Sequence, residues 1–364
     1  MSRSAAMLSR DALKAALRQH QRRSLWLLLL AATLLLLLVY ASTASGVTSL
    51  TPGQSWRALL APLLPAAWLT DIGPLQIAVL QQLRLPRTLM AVIAGAGLAL
   101  AGVAMQGITR NPLVSPYTVG ISPAAAFGAS LAILSGASAL PLSGPWLTVA
   151  AAFLSAVICA ALVLAFSALR GVSATMLVLG GVGLTYLFGA LTASVQFIAT
   201  EQQLSAIIQW TFGSLNGSTW NEVSIAGLIL LAGIPVLYAH AWALNAFAAG
   251  GDEVATSLGF HVGRVRAVVT IVAVMITAAI VSFTGVIGFV GLVAPHIARL
   301  LIGGDHRRLL PFAALTGALL VLLADMAGRL LFAPVIIPVG IVVAYLGVPL
   351  FLHLLLSSRH RGGA

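Results

Sequence analysis

The side chains able to do chemistry are few, and their spacing excludes more than it offers. Lys14 is the only lysine. A phosphate-cradling G-x-x-x-x-G-K-[ST] loop needs a lysine after its glycines, so the chain cannot bind a nucleotide in that way. No serine sits in a G-x-S-x-G elbow, and no His/Cys/Asp cluster has metal-ligand spacing. Cys159 is the one cysteine, which excludes an internal disulfide and a multi-cysteine metal site. The carboxylates are Asp11, Asp71, Glu201, Glu222, Asp252, Glu253, Asp305 and Asp325, and only Asp325 falls within a long apolar stretch. Proton- or sodium-driven carriers place ionisable groups inside the membrane. A single carboxylate four residues before Arg329, on the same helical face, reads instead as a structural ion pair. His296, beside Pro295, reads as a structural or contact residue. No catalytic residue and no metal ligand emerges, so energy for any work must come from a partner.

Two other groups of residues stand out. The run Gly250-Gly251-Asp252-Glu253-Val254-Ala255-Thr256-Ser257-Leu258-Gly259 predicts a short helix. Carboxylates in its first turn suit the helix dipole, and Gly259 can close it in the left-handed conformation. Such a helix is either an ordinary capped loop or a force-transmitting contact, and the residues alone leave both open. The second group is Arg84, Arg87 and Arg329, whose placement depends on the elements that carry them.

Those elements are membrane spans. Of 364 residues 60% are hydrophobic and 7% charged, with a mean hydropathy of +1.05, too much apolar surface for a water-soluble fold. A bilayer core of about 30 Å takes roughly 20 apolar residues per helix. About ten such stretches occur: Leu25–Thr43, Leu89–Ile108, Pro123–Leu140, Trp146–Leu169, Thr175–Ile198, Val223–Ala241, Val265–Phe283, Val286–Ile302, Leu309–Arg329 and Ile337–Leu356. The expected organisation is a basic tail over 1–24, one transmembrane domain over 25–356 and a short tail over 357–364. The stretch Leu25–Leu38, followed by small residues, imitates a signal peptide but equally suits a retained first span, the reading adopted here.

The net charge of +11 follows topology rather than nucleic-acid binding, since cytoplasmic segments gather Lys and Arg. Arg3, Arg10, Lys14, Arg18, Arg22 and Arg23 place the N-terminus inside, and an even number of spans returns the C-terminus to the same side. Alternation then puts 245–266 in the cytoplasm. It puts Arg84, Arg87 and Arg329 outside, against the insertion bias, which suggests a use. The external segment 46–82, rich in proline, should be an irregular cap with a short helix near Trp56–Leu64. Trp210 and Trp220, in the external segment 201–222, suit interfacial anchors. Ala91–Asn111 and Ala279–Arg299 are both Gly/Ala-rich runs ending at a basic segment with proline. Five spans per half, over 25–200 and 223–356, would make a duplication an inverted repeat. Gly181, Thr185, Gly189 and Ala193 share one face of the fifth span, suited to packing within the chain or to a subunit interface or pathway.

At this level the residues resemble a family. Leu83-Arg84-Leu85-Pro86-Arg87, Gln106-Gly107, Arg110-Asn111-Pro112-Leu113 and Val119-Gly120-Ile121-Ser122 resemble the first signature of the FecCD-type permeases. Leu244-Asn245, Gly251-Asp252-Glu253 and Ser257-Leu258-Gly259 resemble their coupling loop. Gly288 through Arg299 (GFVGLVAPHIAR) is similar to their most distinctive run, followed by Asp325 to Arg329, Pro338-Val339-Gly340 and Gly347-Val348-Pro349. The match runs in order from about Leu83 to Leu356. Pro123-Ala124 departs from the family's usual Ser/Asn-Gly, although Ser122 with Pro123 still starts a helix well. An extra glycine precedes Asp252.

The resemblance implies an all-α membrane protein with the type II ABC importer permease fold: ten spans in two inverted five-helix repeats. It implies a homodimer in the bacterial inner membrane, two cytoplasmic ATP-binding subunits that hold ATP and Mg, and an external substrate-binding protein, with no cofactor in this chain. It assigns Arg84, Arg87 and Arg329 to docking carboxylates of the binding protein. It assigns Gly251, Asp252, Glu253, Ala255, Ser257, Leu258 and Gly259 to the ATPase groove, and the Arg170–Thr175 turn, with Ser173 and Thr175, to a cytoplasmic gate. The fifth and tenth spans, through Gly181, Thr185, Gly189, Gly347 and Pro349, are expected to line the path or pack the dimer. The implied cargo is an iron chelate, a ferric siderophore foremost, with haem and cobalamin as alternatives. The rivals are a self-contained ion-coupled carrier and, improbable without a polar catalytic cluster, a membrane enzyme.

Overall fold

A computed structural model describes residues 10–45, 50–136, 144–169, 174–331 and 333–359. Its helices are α1 (Arg10–Ala44), α2 (Pro52–Leu59), α3 (Pro74–Ala78), α4 (Leu85–Thr109), α5 (Ile121–Ser135), α6 (Pro145–Leu169) and α7 (Ala174–Ile198). They continue with α8 (Glu201–Thr211), α9 (Trp220–Ala239), α10 (Ala241–Ser257), α11 (Val262–Thr284), α12 (Val290–Ile302), α13 (His306–Leu330) and α14 (Val339–Arg359). No strand occurs among the described residues. Lipid offers backbone groups no partners, so helices must satisfy their own.

Among the described residues seven helices are long and apolar enough to cross a membrane, and α5, α12 and Val339–Pro349 of α14 are shorter apolar helices. Together they account for the ten stretches expected from sequence. Several boundaries differ: α1 already begins at Arg10 and α5 spans Ile121–Ser135, and two further differences shape the site. The stretch expected as a span from Val286 is helical only from Val290, because residues 285–288 are irregular and Phe289 has a left-handed backbone (φ 63°). Ala279–Arg299 is therefore not one helix but the end of α11, a break, and α12. The second span, in turn, begins earlier than Leu89: α3, a π-helical turn (Val79–Arg84) and α4 run on without interruption as Pro74–Thr109. The external cap has its short helix at Pro52–Leu59, slightly ahead of the expected place.

Helix α4 is the axis of the molecule, buried along nearly its whole length and packed on α13, α11, α12 and α9. In lipid, helices associate through close van der Waals contact, which small residues permit. Gly95 and Gly317 show how close. A Cβ on Gly95 would lie 2.2 Å from the Gly317 carbonyl oxygen, and one on Gly317 would lie 2.2 Å from the Gly95 carbonyl oxygen. Large apolar side chains of α1, α6, α7 and α9, such as Leu36, Leu154, Phe197 and Leu228, point outward, as a lipid-facing or partner-facing surface requires.

Candidate functional site

Three places along the membrane normal gather the residues singled out above. At one end of the long helices, Arg87 sits in the first turn of α4 and Arg329 in the last turn of α13. The two meet at Asp325, whose side chain is fully buried. Arg87 donates from Nε (3.0 Å) and Nη2 (2.8 Å) to Asp325 Oδ1, and Arg329 Nε donates to Oδ2 (3.0 Å). Arg87 Nη1 also donates to Asn216 Oδ1 (3.2 Å), and Arg329 Nη2 to Ser42 Oγ (2.8 Å), which lies 3.0 Å from Thr88 Oγ1. Arg84, half-exposed, donates once to the Thr43 carbonyl (3.3 Å). The expected Asp325–Arg329 pair is present, and Arg87, 238 residues away, completes it. Arg87 and Arg329 share one carboxylate while Arg84 bonds only the Thr43 carbonyl, so this cluster holds three cations to one anion, although the same end also carries the Arg57–Asp71 pair, Glu201 and Glu222.

Midway across, the two irregular segments meet. Residues 110–120 precede α5 and residues 285–289 precede α12, so each short helix starts inside the protein. Between them and α7 lies an open-sided cavity of about 510 Å³, lined by Ser115, Tyr117, Thr118, Ser122, Thr185 and the exposed Tyr186 among apolar neighbours such as Val182, Phe289 and Leu292. The first turns of both α5 (Ser122, Pro123) and α12 (Leu292) border it, and no charged side chain does. Irregular backbone at membrane depth is tolerated where it lines a cavity, and discontinuous helices aim their partial charges at whatever occupies it.

The expected small-residue face of α7 is divided. Gly181 is buried, with a Cβ there only 2.5 Å from Val119 Cα, and Thr185 donates to the Gly181 carbonyl (2.9 Å). Gly189 and Ala193 are exposed, and Gly189 has nothing near it in this chain. Gly347 of α14 packs on Phe289, while Pro349 is exposed. Thr175 is exposed at the start of α7; Ser173 and Arg170 lie outside the described residues.

At the opposite end, α10 is two helices joined at Gly250 and Gly251, the latter with φ 77°. Gly259 (φ 87°) ends the second helix as foreseen. The amide of Phe260 donates to the Ala255 carbonyl (3.0 Å) and that of Gly259 to Thr256 (2.9 Å), the paired bonds of a Schellman cap. Ala255 and Gly251 face inward, whereas Glu253, Ser257, Leu258 and Gly259 are exposed. Leu258, 63% exposed, is an apolar side chain at the tip of this helix.

Asp252 does more than favour a dipole. It receives both ends of the Arg266 fork, Nη2 to Oδ1 at 2.6 Å and Nη1 to Oδ2 at 2.9 Å. Nearby, Asn245 of the first helix donates to Asp305 Oδ1 (2.8 Å) and accepts from the His306 amide (2.8 Å), pinning α10 to the start of α13. Asp305 caps α13 and pairs with Arg307, whose guanidinium holds its carboxyl down to about 2. Arg266 and Asp305 were not assigned roles from sequence, and Asn245 was read only within the run that resembles the coupling loop. Of the two arginines in the first turns of α11, Arg264 is exposed; Arg266, two residues on and in need of a counter-charge, was the available signal.

A helical membrane subunit with an outer cationic cluster, a central cavity between broken helices and an exposed inner helix is the architecture of a transporter permease. The FecCD transport family matches residues 34–357, and the chain belongs to that family of ABC importer permeases. A protein of Methanocaldococcus jannaschii named as an ABC transporter permease is 42% identical over 290 residues, 78% of this chain and 83% of that one. The hemin transport system permease of Yersinia pestis is 36% identical over 294 residues, 81% and 88% of the two chains. Further relatives are named for cobalamin (Halobacterium salinarum), iron(III) citrate (Bacillus subtilis) and molybdate import (Haemophilus influenzae). Among solved structures, an inward-facing metal-chelate type ABC transporter is 34% identical with a TM-score of 0.79, over 91% of this chain and 98% of that one.

Proposed function

We propose that this permease works as a homodimer, takes an iron chelate, a ferric siderophore, from an external binding protein and passes it inward when two ATP-hydrolysing subunits move its inner helix. The observation that carries the cargo class is the central cavity. Its lining offers hydroxyls, apolar surface and two helix starts, but no side-chain cluster able to coordinate a bare ion. A chelate brings its own metal ligands, and the partial positive charge of helix starts suits an anionic one. Haem, anionic through its propionates, shares both properties and cobalamin the first, and these two are the alternatives within the family.

The remaining roles follow the same logic. The half-exposed Arg84, with a single bond of its own, suits a carboxylate on the binding protein, and Arg87 and Arg329 beside it hold Asp325. The exposed Leu258 and its neighbours suit a groove on the ATPase. The exposed outer half of α7, with Gly189, Ala193 and Phe197, suits the second copy. Reconstitution into vesicles with the ATPase and binding protein tests the reading: ATP-dependent uptake of ferric siderophore in preference to haem, cobalamin or molybdate is expected. Uptake by the chain alone, driven by an ion gradient, would refute it.

A further inference from the structure

Arg266 occupies a position that no motif explains. It lies in the first turns of α11 and is 2% exposed, yet its guanidinium touches three separate parts of the chain. Its two terminal nitrogens hold Asp252 in the inner helix. Its Nε donates to the Ile108 carbonyl (3.3 Å), one of the acceptors left without an intrahelical partner at the end of α4. Its face lies 5.4 Å from the ring centroid of Phe247 in the first half of α10. Beside it, Arg110 follows α4 with a left-handed backbone, and its guanidinium packs on Gly251 so closely that a Cβ there would lie 2.4 Å from Nη1.

The mechanical problem these contacts address is set by Gly250 and Gly251. Two consecutive non-helical glycines make a poor strut, so a push on residues 252–259 would be absorbed there unless a second connection existed. The Asp252–Arg266–Ile108 chain is such a connection. Beyond Ile108 the backbone passes through Arg110 and into the segment that supplies Ser115, Tyr117 and Thr118 to the central cavity. We propose that Arg266 is the positioning residue that carries displacement of the inner helix to the cavity wall. This deepens the function proposed above and rests on residues 252–259 being the ATPase contact. The planar fork matters: a lysine could not hold both carboxylate oxygens and the carbonyl together.

The test uses the whole complex in vesicles, reading chelate taken up per ATP hydrolysed. Each variant complex is first checked for intact assembly, because Asp252→Ala removes only a half-exposed carboxylate (46%) but strands the buried Arg266 charge, and Asp252→Asn, which keeps an acceptor against the fork, is read beside it. In assembled complexes Asp252→Ala should lower the ratio at least tenfold, as should Arg266→Ala, with Arg266→Lys and Asp252→Asn intermediate. The double variant should be no worse than either single one, because both remove the same link. Wild-type coupling in Asp252→Ala, or a double loss equal to the product of the single ones, would overturn the proposal. Leu258→Cys separates the underlying reading, since the only native cysteine, Cys159, is buried. Cross-linking of that thiol to the ATPase supports the contact. Its absence overturns the contact, and with it the proposal, whereas cross-linking with unaltered coupling in Asp252→Ala overturns the role of Arg266 alone.

Discussion

Replacing Asp325 by leucine should be among the most destabilising single changes in this chain. The carboxylate is wholly buried and accepts three charge-assisted hydrogen bonds, two from Arg87 and one from Arg329, whose side chains are only 11% and 13% exposed. Each such bond contributes about 1.5–3 kcal/mol. Removing one partner of a buried ion pair costs about 3–5 kcal/mol, because the other charge is stranded. Here two are stranded, although some rehydration at the outer face offsets the loss, so about 4 kcal/mol is expected. The apolar replacement of all three, Arg87→Met with Asp325→Leu and Arg329→Met, should recover most of this, to within about 1.5 kcal/mol of the native chain. Exposed Asn216 can turn to water, and Ser42 keeps Thr88. The assay is equilibrium unfolding in mixed micelles, titrated with a denaturing detergent. A loss below about 1 kcal/mol for Asp325→Leu, or a triple variant less stable than the single one, would refute the reasoning.

Charge reversal at Arg84 should weaken affinity for the binding protein by about tenfold, an effect that shrinks as salt rises; titration of labelled binding protein onto the reconstituted complex measures it. Gly95→Ala should push α4 off α13 and cost roughly 1–3 kcal/mol, seen in the same micelle unfolding assay. Asp305 has a folded pKa of about 2, depressed by Arg307, below the ordinary 3.8. The unfolded state therefore binds the proton first, so this contribution to stability is complete above about pH 4 and fades as pH falls toward 2. Asp305→Asn should be less stable at neutral pH and lose less of its stability across that window, as acid titration of thermal unfolding would show.

The number of apolar helices was legible because each crossing needs a run of apolar residues of fixed length. Their breaks were not. Val286, Ile287 and Phe289 look like span residues although 285–289 is irregular, since backbone at that depth needs apolar side chains whether or not it is helical. The pairing of Asp325 with Arg329 could be read from four-residue spacing, whereas Arg87 reaches the same carboxylate only through the crossing of α4 and α13. Asp252 was legible as a first-turn carboxylate and Arg266 as a cytoplasmic charge. Nothing in their separation of 14 residues, across a turn, revealed the bidentate pair.

The unbroken run Pro74–Thr109 measures about 54 Å at 1.5 Å per residue, longer than the hydrocarbon it crosses. It is a single beam whose outer length bears Arg84 and Arg87 and whose inner tip offers the Ile108 carbonyl. Pivoted at the tight Gly95–Gly317 contact, a tilt of about 5° would swing that tip by roughly 2 Å, since it lies about 20 Å from the fulcrum. Such a see-saw is indifferent to which end is pressed, so a ligand-bearing protein arriving outside and a nucleotide event inside would each be felt at the opposite face without any messenger between them.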